Sequence, residues 1–140
     1  MRSLSKTLVL LASLASAGGI VLLWRFDPST SGLFPPCPLH YLTGLYCPGC
    51  GSLRALHALL HGDFRFAWAM NPLTCVLLPF LTYGLASEAL FAFGGRRLPQ
   101  VTLSAGTIRA LCLVIVLFGV LRNLSLPPFH WLAPGAMLHL

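Results

Sequence analysis

Four side chains able to hold a metal ion or exchange sulfur stand within fourteen residues: Cys37, His40, Cys47 and Cys50, in the run CPLHYLTGLYCPGCG. Cys-x2-His followed by Cys-x2-Cys offers three thiolates and one imidazole, a donor set suited to tetrahedral zinc. The two-residue gaps let a tight turn aim both side chains at one ion, and Gly44 and Gly51 supply bend points. A second chemistry is thiol exchange. A Cys-x2-Cys at a helix start feels the helix dipole, which favours the reactive thiolate, and Cys37 could act as the third sulfur beside Cys47 and Cys50. The third is a plain staple, a disulfide from Cys37 to Cys47 or Cys50 that fastens a Pro-rich loop. Spacing alone leaves all three open.

The rest of the chain says where such a segment would sit. Of 140 residues, 56% are hydrophobic and 9% charged. A soluble surface carries roughly 25% charge, so the composition points to an all-α integral membrane protein forming a single domain, 1–140. Three apolar runs are long enough to cross a bilayer: 7–24, 72–93 and 101–121. The first contains Ala15-Ser16-Ala17, a signal-peptide type of cleavage site. Its apolar run continues to Trp24, however, which favours an uncleaved anchor. Asn71 and Pro72 form a cap and first position for the second helix, and Pro79 inside it is a candidate bend. Gly94 to Pro99 reads as a basic turn, and the Pro-broken tail with Trp131 as interfacial.

Between the first two spans, residues 33–70 make a Cys-rich interfacial segment. After Cys50 the pattern turns helical: Leu53, Leu56, Leu59 and Leu60 fall on one side, Arg54, His57 and His61 on another. A short helix of this kind lies in the headgroup plane. His57 and His61 are four apart, at the spacing of a metal pair, although a polar face meeting water or lipid phosphate explains them better. Asp63 can cap a second short helical turn.

The net charge of +6 reflects few acids, only Asp27, Asp63 and Glu88, with nine scattered bases. No basic stripe suits nucleic acid, so the expected partners are the lipid bilayer, another membrane protein or a second copy. Arg2, Lys6, Arg96 and Arg97 balance Arg25, Arg54, Arg65 and Arg122 across the three spans. The flank of the first helix tips the amino terminus to the cytoplasmic side. Glu88 and Arg109 fall at similar depth on antiparallel helices and are expected to pair near the membrane edge.

Cys37-Pro38, Thr43-Gly44, Cys47-Pro48-Gly49-Cys50-Gly51 and Arg54-Ala55, followed by ALLHGD and NPL, resemble the bacterial membrane-protein family catalogued as domain of unknown function 2752. The likeness spans roughly residues 33 to 90. It implies a small protein of a few spanning helices with the cysteine segment between two of them, and it brings no activity, substrate or cofactor. It singles out Cys37, Cys47, Cys50, Gly51, Arg54, Asp63 and Asn71. Leu53 stands where the family usually has Thr, and His40 lies outside its motif.

Overall fold

A computed structural model describes residues 2–95, 98–99 and 103–136. Among them the chain is all helical: α1 (Arg2–Arg25), α2 (Pro38–Thr43), α3 (Ser52–Leu60), α4 (Phe64–Met70), α5 (Pro72–Gly94), α6 (Ala105–Leu121) and a 3-10 turn, Phe129–Leu132. Arg96 and Arg97 of the expected basic turn, and Val101 where the third run begins, lie outside the described residues.

Two helices are long and apolar enough to cross a membrane, over Thr7–Arg25 and Pro72–Phe91. Only 6% of either window is buried, so their apolar surface faces outward rather than into a core. They pack along each other. The third apolar helix, α6, has 17 residues and a length of about 26 Å, shorter than the hydrocarbon layer of roughly 30 Å. Among the described residues α6 makes no extensive contact along α5. Glu88 and Arg109 are both exposed, on helices that are not closely packed.

The helix boundaries follow local chemistry. The Asn71 side chain accepts the Thr74 N–H and starts α5, with Pro72 in the first turn where a missing N–H costs nothing. Asp63 accepts the Phe66 N–H at 2.9 Å and starts α4. Ser104 does the same for α6 through the Thr107 N–H. Pro79 sits inside α5, which continues through it.

The small core lies where α3 and α4 meet. Ala55 and Ala67 are completely buried, joined by Ala58 and Met70, with Leu59, Phe66 and Cys75 against them. The packed face of α3 is thus its alanines, with Leu59 at the edge. Alanines let the two short helices approach closely, as small residues do between helices in lipid, while Leu53 is exposed.

Candidate metal centre

The sulfur cluster is built on a tight turn. Cys50 N–H donates to the Cys47 carbonyl at 3.0 Å, and Cys47 N–H donates back to Cys50 Sγ at 3.3 Å. This closes Cys47-Pro48-Gly49-Cys50 on itself and aims both sulfurs the same way, 3.2 Å apart. Gly51 then takes φ +84° to launch α3. A side chain there would place its Cβ 2.6 Å from the Met70 carbonyl oxygen, so glycine is required twice over. Cys37 precedes Pro38 at the start of α2, and its sulfur lies 3.4 Å from that of Cys47.

The ligand atoms of Cys37, Cys47 and Cys50 all lie within 4.8 Å of one another. A tetrahedral ion with Zn–S bonds of about 2.3 Å needs sulfurs roughly 3.8 Å apart, inside the observed range. All three cysteines are free thiols, and the separations far exceed the roughly 2.05 Å of a disulfide. The disulfide staple is thus not the state of this structure.

His40 stands outside this group. Its ring stacks on Tyr46 at 4.4 Å between centroids, and Nδ1 lies 3.1 Å from the Gly44 carbonyl. A cavity of about 610 Å³ opens beside the sulfurs, with His40 and Arg54 on its lining. Arg54 is exposed there.

Cys37 and Cys50 differ in acidity. The His40 backbone N–H facing its sulfur, with the Cys47 and Cys50 thiols adding to it, holds Cys37 down at about 7. Burial pushes Cys50 up to about 12, and its neighbouring cysteines push the same way. The ordinary thiol value is 9.0.

Two helix ends grip the turn from behind, and a third is tied to the helix that follows it. Asn71, with no exposed surface, points its amide at the Pro48 carbonyl (2.9 Å), the Cys50 carbonyl (3.1 Å) and Ser52 Oγ (3.1 Å). The residue that caps α5 therefore also shapes the sulfur turn. From the end of α6, Arg122 Nη1 donates to the carbonyls of Cys47 and Pro48 at 3.0 and 3.2 Å. Asn123 clasps Tyr46, accepting its N–H at 2.7 Å and donating to its carbonyl at 2.8 Å. Gly119 brings α6 so close that an added Cβ would lie 2.9 Å from the Pro48 ring. At the end of α1, the Leu23 carbonyl pairs with His57 Nδ1, while His61 Nδ1 turns to the His57 carbonyl. The His57–His61 pair thus ties α3 to α1, and its Nδ1 atoms are engaged with backbone.

Arg122 and Asn123 carry no site signal in the sequence, where they close an apolar run. The nearest hint is Gly119 one turn earlier, a small residue on a helix that must meet something closely. Asn71 and Asp63 were legible as caps; the reach of Asn71 into the turn was not. No curated protein and no solved structure matches the chain. A family model does, and it begins at Cys37, runs through the turn and Asn71, and ends within α5: residues 37–85 match the family described as Protein of unknown function (DUF2752).

Proposed function

We propose that Cys37, Cys47 and Cys50 bind one thiophilic divalent ion, zinc by donor set, making a metal-held clasp on the surface of a multi-pass membrane protein. The convergence of three sulfurs within 4.8 Å carries this reading. A bound dication favours deprotonated thiols outright, which overrides the high pKa that burial alone gives Cys50. Asn71 and Arg122 hold the carbonyls of the turn, so the sulfurs are positioned without strain on the ligands themselves. A fourth coordination position would open toward the cavity shared by His40 and Arg54. The clasp is a structural or partner-docking module, with α6 crossing the membrane as a third span and the amino terminus on the cytoplasmic side. The exposed flanks of α6 suit a second copy or another membrane protein.

Thiol exchange is the second reading, favoured by the lowered Cys37 pKa and its 3.4 Å approach to Cys47. Cys37 thiolate would attack a Cys47–Cys50 disulfide at Cys47, forming the Cys37–Cys47 bond and expelling Cys50 as thiolate. A thiol held at about 12 is a poor leaving group, which ranks this reading below the metal clasp.

Elemental analysis of the purified protein with a thiol count decides. The clasp requires one zinc per chain, lost in Cys47→Ser and retained in Cys75→Ser and His40→Ala. Absence of metal with a Cys47–Cys50 disulfide that exchanges with glutathione supports the second reading. Metal-free, unreactive thiols overturn both.

A further inference from the structure

Arg122 is 1% exposed, yet only one corner of its guanidinium is hydrogen-bonded. Nη1 serves the turn carbonyls; Nε and Nη2 are buried with no hydrogen-bond partner among the described residues. Those two atoms form the edge of the fork that takes two oxygens of a carboxylate or phosphate side by side. Around them stand the faces of Phe118 and Tyr46, 5.0 and 5.8 Å from the guanidinium carbon. Rings and carbonyl dipoles offset part of a buried charge; they do not replace an anion. Burial already pulls the Arg122 pKa down, against the opposing pull of Cys50 and Cys47.

Arg122 lines a second cavity, about 480 Å³, which shares Tyr46 with the sulfur pocket. None of its lining residues is Asp or Glu. His130 also lines it, and its Nδ1 is likewise buried with no hydrogen-bond partner among the described residues. Two unpartnered buried nitrogen groups from different segments therefore border one acid-free cavity. It lies at the carboxyl end of apolar α6, next to the Trp131 turn.

We infer that this cavity is an oxyanion site: a phosphate group, free or on a lipid headgroup, bound by the Nε–Nη2 edge of Arg122 with His130 as second contact. The volume is within the range of small-ligand pockets, roughly 300–1,000 Å³. Because the nitrogens are covered, the phosphate enters with a small shift of the cavity wall, and binding relieves the cost of an unpaired buried cation. The site is independent of whether the sulfurs hold metal.

Native mass spectrometry of the full chain in detergent, offered phosphatidylglycerol or phosphatidylcholine, tests this beside calorimetric titration with inorganic phosphate. Selective retention of one phosphatidylglycerol, displaced by inorganic phosphate, identifies a lipid headgroup as the source. Binding of inorganic phosphate alone identifies a free anion. In either case His130→Ala should weaken binding about tenfold, and Arg122→Lys, which keeps the charge and loses the fork, by more. If Arg122→Lys does not fold, His130→Ala decides by itself. Binding of neither probe, or equal affinity in wild type and His130→Ala, overturns the site.

Discussion

Residue by residue, the sulfur cluster is asymmetric, and the asymmetry predicts a pH signature. Cys37 titrates near 7 where an ordinary thiol titrates at 9.0. At pH 8 it is then about 90% thiolate, against about 10% for an unshifted thiol. In metal-free protein, alkylation of Cys37 by iodoacetamide should rise through pH 7 and level off by pH 9, with Cys50 unmodified throughout. A Cys37 rate still climbing tenfold per unit at pH 8 would contradict the local N–H contribution. The linkage sign follows: between about 7 and 9 the folded chain has released a proton that the unfolded chain retains, so this group adds stability as pH rises. Cys50 acts oppositely from 9 to about 12. Asn71 makes a second test at this scale. Asn71→Ala orphans the Cys50 carbonyl and the Thr74 N–H and leaves the Pro48 carbonyl to Arg122 alone. It should cost about 2–4 kcal/mol in reversible unfolding from mixed micelles, and loosen metal retention as well.

At the scale of elements, close approaches decide which glycines matter. Gly51→Ala meets the Met70 carbonyl with a positive φ and should cost at least about 2 kcal/mol. Gly44→Ala has positive φ but open space, so about 1 kcal/mol is expected. Gly18 lies inside α1 with nothing within 4 Å, and Gly18→Ala should stabilise by about 0.5–1 kcal/mol. Thermal denaturation of the three variants in one detergent should give that order. The elements themselves were largely readable in advance, because Asn71-Pro72, Asp63 and the apolar run lengths act locally. The alanine contact of α3 with α4 was not: periodicity marks the leucines, whereas the small size of Ala55 and Ala58 is what lets α4 approach. Nor does the Cys-x2-His spacing reveal that the His40 ring stacks on Tyr46, apart from the three sulfurs.

For the molecule as a whole, the end of α6 and the start of α5 converge on one cysteine turn, and the end of α1 is tied to α3, which leaves that turn. With α6 as a third span, residues 26–71 and 122–136 share one side of the membrane, and residues 98–99 lie on the other. In a background with all five native cysteines replaced by Ser, an impermeant maleimide should label Ser29→Cys and Ser125→Cys from the same side and Leu98→Cys from the opposite one. Labelling of Leu98→Cys and Ser125→Cys together would show that α6 does not cross. Three closely spaced cysteines were visible in the sequence because ten and three residues separate them. The grip of Arg122 on Cys47 spans 75 residues and depends on where α6 ends, which no local pattern encodes.

The contact between Gly119 and the Pro48 ring has a consequence for descent. Neither position is free to drift alone: a methyl group at 119 needs a smaller or displaced neighbour at 48, and a bulkier ring at 48 needs bare backbone at 119. Across lineages that keep the turn, the two sites should mutate as a couple, and a survey of their joint variation would reveal this contact without any coordinates.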